Sequence, residues 1–357
     1  MKRFFIQATL MALIVVVAFP SHAHAWEGHT ARIALLGDFL PASSAAPFLK
    51  SKGAAYLFDG VRPILGKSDA VFLNLETPLS AGGTPRAEKK YTFRASPRVA
   101  TAMFTEGVRV VSLANNHILD YGYQALDDTM QALRAAGIFY AGAGMDVNEA
   151  AVPALVSTPA GDVAFLAFSN SLPKDFWAGK HRPGTLFGSP EAVKRSVTAA
   201  SSKGNKGSVI VSFHWGKELM TEPREYQTAL AHLAIDSGAA LVVGHHPHVA
   251  QPIEIYRGRP VLYSLGNFSF GSYSKSVRVG LLAVANMDEN GWCERLEIYP
   301  LAVDNTEVLF RPRRIMGPEG KKIFESLTET IPRKAAEVVW QDGRGVIIPR
   351  HGPGSGN

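Results

Sequence analysis

The residues with the clearest chemical potential are three histidines in four positions, His245, His246 and His248, in the stretch LVVGHHPHVAQP. They follow directly on an apolar run that reads as a buried strand. Other apolar runs end in the same way. ARIALLGD closes on Asp38, AVFLNLE on Asn74 and Glu76, VRVVSLANNH on Asn116 and His117, and SVIVSFHWG carries His214. Carboxylates, amide oxygen and imidazoles together are the ligand mix of Mn, Fe or Zn, and differ from the thiolate set of a structural zinc site. With no cysteine among them, two divalent ions sharing a bridging carboxylate are the natural arrangement, and the chemistry is hydrolytic. His117 and Asp120 stand three apart, so Asp120 is expected to orient the imidazole and raise its pKa, giving a general acid or transition-state donor. Arg94 and Lys217 are candidates to neutralise an anionic substrate. Asn74 either joins the ligands or fixes its turn, and Asn267, in the tight turn expected at Gly266-Asn267, supports the site.

These side chains need a scaffold that brings distant segments together. Each apolar run is rich in Val, Ile, Leu and Phe and short enough for a buried strand. Between the runs, Tyr121 to Gly137 has apolar residues at helical spacing and a glycine stop, and Glu222 to Gly238 has a proline near its start and ends in Ser-Gly. Strands alternating with helices predict an α/β fold with parallel-type pairing. In such sheets the functional crevice lies beyond the carboxyl ends of the strands, where the polar endings would converge. Gly37, just before Asp38, permits close backbone approach there.

The whole chain is compatible with that reading. Its 357 residues, 46% hydrophobic, are ample for a large core. The formal net charge is +6, and after Lys2 and Arg3 are set aside 35 basic face 31 acidic side chains. This mild bias permits an anionic partner, and the absence of a dense Lys/Arg stripe with interleaved aromatics argues against nucleic acid. Residues 1–25 read as a secretory signal: Lys2-Arg3, the apolar Ala8–Phe19, then Ala23-His24-Ala25 as a cleavage site. The alternative is an uncleaved anchor, and either way an exported protein at the periplasmic or extracellular face is expected. The single cysteine, Cys293, excludes an intrachain disulfide and reads as a buried hydrophobe. From Arg311 onward the expectation is a basic, proline-containing extension, 311–357, with one short helix near Lys321–Leu327 and a disordered HGPGSGN end.

SLANNHILDYG, FLNLETPLS, SFHWGKE, VVGHHPHVAQPIE and VLYSLGNFSF together resemble the signature blocks of the CapA family of capsule-synthesis proteins, associated with poly-γ-glutamate. The resemblance runs from about Arg32 to Phe310, so a domain over 30–310 is expected. It implies a metallophosphatase-like (calcineurin-like) αββα sandwich, two mixed sheets with helices outside. Laid on that family's ordered motifs, Asp38 is a ligand of one metal and Glu76 stands at the bridging position. Asn116 is the amide ligand, His117 the histidine that meets the substrate, His214 the middle histidine ligand, and His246 and His248 the last His-x-His pair. His245 is an extra ligand or a supporting donor. The first block departs from Asp-x-His, with Leu40 at the histidine position, so the set Glu76, Asn116, His214 and His246 is the more complete one. The resemblance implies a hydrolase using two divalent ions (Mn, Fe or Zn) on a phosphoester or amide bond. Its partners would be an anionic envelope polymer or phosphorylated substrate, and membrane-embedded capsule synthesis or export proteins. The rival is a non-catalytic, metal-dependent factor that binds or exports an anionic polymer.

Overall fold

A computed structural model describes residues 30–202 and 208–350. The signal segment and the HGPGSGN end lie outside the described residues. No described helix is long and apolar enough to cross a membrane.

The strands that carry the polar endings form the middle of two sheets. The larger contains β1 (Ala31–Leu40), β2 (Ala70–Leu75), β3 (Val108–Ser112), β4 (Phe139–Ala141), β13 (Asn267–Phe270), β14 (Val279–Met287), β15 (Cys293–Ala302), β16 (Arg313–Arg314), β17 (Ala336–Gln341) and β18 (Arg344–Pro349). Its order is β17-β18-β15-β14-β1-β2-β3-β4, with β13 on β1 and β16 on β15. The smaller contains β6 (Ala154–Thr158), β7 (Gly161–Ser169), β9 (Val209–His214), β10 (Leu241–His245), β11 (Ile253–Tyr256) and β12 (Arg259–Leu262), in the order β11-β12-β10-β9-β7-β6. A small ribbon pairs β5 (Ala143–Gly144) with β8 (Gly184–Thr185). The central pairs β1–β2, β2–β3, β7–β9 and β9–β10 are parallel, and the antiparallel pairs lie outside them. This is the α/β sandwich of two mixed sheets that the sequence predicts.

Alternation along β1 shows how the layers are built. Ile33 and Leu35 point into a core between the sheets, shared with Phe72 and Val110 from the larger sheet and Phe165, Ile210 and Val243 from the smaller. Ala34 and Leu36 point the other way, into a core completed by Leu126, Met130 and Leu133 of the helix Gly122–Ala136. The outer face of the smaller sheet is covered by Val193 and Val197 of the helix Pro190–Ser201 and Leu230 and Ala234 of the helix Glu225–Asp236. Strands buried on both faces read as continuous apolar runs, which is why they were recognisable. The helix Gly122–Ala136 stops at Gly137, whose φ of +78° suits a residue without a Cβ.

The C-terminal extension is more structured than the sequence reading expected. Its helix spans Gly317–Thr328, and β17 and β18 form a hairpin whose β18 pairs with β15. The residues beyond Arg311 thus widen the larger sheet instead of trailing from it. The missed signal was Asp342-Gly343, which turns the hairpin with φ of +50° and +71° between two apolar-rich runs. Phe324 is 1% exposed and joins the core between the sheets. Its ring lies where a Cβ on Gly345 would be, only 2.2 Å from such an atom. Removing that ring leaves a cavity at the junction of helix, hairpin and core. Phe324→Ala is therefore expected to cost about 3–5 kcal/mol in denaturant unfolding. A loss below about 1 kcal/mol would mean that the extension is not part of the core.

Candidate metal centre

The ends of the parallel strands meet in one place. Register sets Asp38 of β1 beside Asn74 of β2 and Asn267 of β13, and His214 of β9 beside His245 of β10. Both sheets therefore deliver polar side chains from the same end. Close backbone approach makes this possible at two glycines. A Cβ on Gly37 would sit 2.0 Å from the Gly266 carbonyl oxygen, and one on Gly244 would sit 1.9 Å from that of Tyr263. β3 itself ends at Ser112, and the following loop carries Asn115, Asn116 and His117 into the site.

Asp38 and Glu76 are both fully buried. Asn74 Nδ2 donates to Asp38 Oδ1 at 2.8 Å and to Glu76 Oε2 at 3.3 Å. Asn74 Oδ1 accepts from Asn115 Nδ2 at 3.1 Å, so the asparagine is a bracket for the two acids. Glu76 Oε1 has no hydrogen-bond partner and lies 3.6 Å from His214 Nε2. The same His214 nitrogen faces Asn116 Oδ1 at 2.9 Å and His246 Nδ1 at 3.1 Å. On the other side of the acids, His248 Nδ1 lies 3.2 Å from Asp38 Oδ2 and 2.9 Å from Asn267 Oδ1. His245 Nδ1 is 3.4 Å from Asp38 Oδ1 but makes no hydrogen bond within its buried surroundings.

Two groups of ligand atoms emerge, Glu76–His214–His246 and Asp38–Glu76–His248, each with its atoms within 4.8 Å of one another. Glu76 belongs to both. The donor set fits divalent ions: a buried carboxylate oxygen lacks a partner, and ring nitrogens and an amide oxygen converge on the same point. Asn116 adds a fourth group to the first set, whereas the position of Leu40 is filled by core. The turn that carries the histidines is itself strained. His246 and His248 take φ of +94° and +61°, and the His246 backbone N–H donates to Asp38 Oδ2 at 3.2 Å. Such conformations cost about 1–3 kcal/mol each and persist where the surroundings impose them, typically at functional sites.

His117 stands at the edge of this cluster. Its Nδ1 is 2.7 Å from Asp120 Oδ2, which also accepts from the Phe93 backbone N–H at 2.8 Å. That leaves Nε2 for a cleft of about 250 Å³ lined by His117, His248 and Asn267 among others. Asp120 orients the ring as expected. The expected rise in pKa does not follow, because burial outweighs Asp120 and holds the imidazole below its ordinary value.

Arg94 and Lys217 are not brought to the site. The Arg94 guanidinium donates to the Gly82 carbonyl at 2.7 Å and lies 4.3 Å above the Tyr121 ring. Lys217 is exposed and does not line the cleft. The cation at the site is Lys89, which the sequence reading missed. Its Nζ donates to Asp120 Oδ1 and to the Asn116 carbonyl, and lies 3.2 Å from His117 Nδ1. Asn115 was also missed. Its Oδ1 accepts from the backbone N–H groups of His117 and Ile118, pinning the loop. Neither residue has a spacing that marks it, though Asn115 sits inside the recognisable Asn-Asn-His block.

The charges of the cluster are coupled. Burial pushes the Asp38 carboxyl up, but the His245 and His248 rings beside it hold it well below its ordinary range. Burial and the Asp38 charge push Glu76 well above its ordinary value. Burial lowers His214 well below its ordinary value and His246 to about 3. For His248 burial opposes protonation, but Asp38 prevails and raises it. Both shifts, at Glu76 and His248, favour the proton, so a metal ion bound there would compete with protons. Metal affinity is expected to rise with pH, and Mn²⁺ titrated near neutral pH should release protons. Calorimetry in two buffers of different ionisation enthalpy measures this, and heats independent of the buffer would contradict it.

Comparison with known proteins shows the family of the chain. Residues 32–272 match the family described as bacterial capsule synthesis protein PGA_cap. The capsule biosynthesis protein CapA of Bacillus anthracis is 31% identical over 282 residues, 78% of this chain and 68% of that protein. The PGA biosynthesis protein CapA of Bacillus subtilis (strain 168) is 31% identical over 296 residues, 82% of this chain and 77% of the relative. A probable polyglutamine synthesis accessory protein of Mycobacterium tuberculosis is 38% identical over 213 residues, 56% of this chain and 55% of its own. With the strand-end blocks falling inside the matched span, the chain belongs to the PGA_cap family of bacterial capsule synthesis proteins.

Proposed function

We propose that the protein is an exported, metal-dependent hydrolase of capsule or poly-γ-glutamate-type polymer biosynthesis, acting on a phosphoester or amide bond. The observation that carries the proposal is the sharing of Glu76 between two sets of ligand atoms, with an Asp120-oriented His117 beside them. The names of its relatives support the polymer context. Asp38, Glu76 and His248 would hold one divalent ion, and Glu76, Asn116, His214 and His246 a second. When bound, Mn, Fe or Zn supplies Lewis-acid polarisation of the scissile group and a water acidic enough to attack near neutral pH.

The chain's own residues do the rest. Asp120 keeps the proton on His117 Nδ1 and directs Nε2 toward the cleft. The lowered pKa leaves that nitrogen a proton acceptor in the resting protein. An anionic substrate favours the protonated imidazole, which then donates to the leaving oxygen or nitrogen. Lys89 holds Asp120 and the Asn116 carbonyl in register and thereby couples the donor to the ligand set. Partners would be an anionic envelope polymer or phosphorylated substrate at the periplasmic or extracellular face, with membrane-embedded capsule synthesis or export proteins nearby.

A second reading is a binding or export factor that does not hydrolyse its polymer. Leu40 favours it, since the Asp38 set has only three groups. Turnover of p-nitrophenyl phosphate, bis-p-nitrophenyl phosphate and γ-glutamyl-p-nitroanilide separates the two. His117→Ala should lower turnover by about 10²- to 10⁴-fold while bound metal is unchanged. Metal-replete protein without turnover on any of the three, or turnover indifferent to His117→Ala, would favour the binding factor.

A further inference from the structure

The cleft beside His117 has a composition unlike that of a site for negative charge alone. Aromatic rings from Tyr91, Phe93 and Phe270 line it, and no lysine or arginine does. The charged side chain in its wall, apart from the histidines, is Glu218. Glu218 is exposed and has no ion-pair partner among the described residues. It is nonetheless held in place. The next residue, Leu219, takes a φ of +62° and its N–H donates to the Pro247 carbonyl at 2.9 Å, which ties this segment to the His246–His248 turn. Two rings reach from the cleft into the centre: Phe93 lies 4.8 Å from the His117 ring and Phe270 lies 4.6 Å from that of His248.

A carboxylate and aromatic rings lining one cleft, with no lysine or arginine in its wall, is the chemistry that receives an ammonium group. The carboxylate supplies the counter-charge, and the electron-rich ring faces attract the cation. Lys90 already lies 5.1 Å over the Tyr91 ring, which leaves Phe93 and Phe270. We propose that this cleft is a subsite for a primary ammonium group of the substrate, with Glu218 as counter-ion and Phe93 and Phe270 as walls. The substrate then carries an amine next to the group held at the metal centre. Substrate selection lies in that amine, in place of the contacts first expected from Arg94 and Lys217. The inference rests on the hydrolase reading, which supplies the anchor for the reacting group.

The test uses 2-aminoethyl phosphate and ethyl phosphate, which share the anchor and differ in the amine. Binding is measured by calorimetry on the full chain supplied with Mn²⁺, for wild type and Glu218→Gln. Wild type should bind the amino compound roughly 5- to 20-fold more tightly. Glu218→Gln should remove most of that preference and leave ethyl phosphate binding unchanged. Equal binding of the two phosphates by wild type overturns the ammonium subsite and leaves the hydrolase reading standing. Equal weakening of both by Glu218→Gln also overturns it, and makes Glu218 a support of the centre. If neither compound binds, and inorganic phosphate fails as well, the hydrolase reading falls and the subsite falls with it.

Discussion

Two carboxylates, Asp38 and Glu76, are fully buried where the two sheets meet, and much of the structure follows from that fact. Negative charge removed from water is costly unless it is paired or hydrogen-bonded. Asn74 bridges the two acids, His245 and His248 pair with Asp38, and Glu76 Oε1 is left without a hydrogen bond. The two acids respond unequally: the neighbouring histidines favour the ionised form of Asp38, while burial and the Asp38 charge favour the proton on Glu76. A cation shared through Glu76, as proposed, would remove the need for that asymmetry.

The fold is arranged to create this junction. Parallel strands from both sheets end at the same level, and the glycines before Asp38 and His245 let neighbouring backbones close in. The left-handed turn at His246 and His248 then folds two imidazoles back over the acids. Such a turn is unfavourable on its own and is retained by what surrounds it, including the His246 N–H bond to Asp38. The edge that carries His117 is built separately. Asn115 pins its loop, while Lys89 and Asp120 set the His117 ring.

The centre was legible in the sequence because doubly buried strands leave little room for polar residues. Against a run such as Ala-Leu-Val-Val, a histidine or acid at the end stands out, and its position on the strand fixes where it emerges. Exposed cations give no such signal. Arg94 and Lys217 stand near the motifs in sequence, yet one caps a carbonyl and the other faces solvent. Lys89 reaches the site only because the loop after Glu76 folds back against Asp120, a tertiary event without periodicity. The fall in the His117 pKa was equally hidden, since it depends on burial that only packing reveals. In the C-terminal extension the turn signal at Asp342-Gly343 was present but was masked by the basic, proline-containing stretch before it.

The central claim is that Glu76 is shared by two metal sites. The direct measurement is elemental analysis of metal per chain, on protein purified without chelator or affinity metal and then supplied with Mn²⁺, for wild type and Glu76→Ala. The account predicts two equivalents in wild type and loss of both in Glu76→Ala, with folding checked by circular dichroism. Two equivalents retained in the variant, or none in wild type, would contradict it.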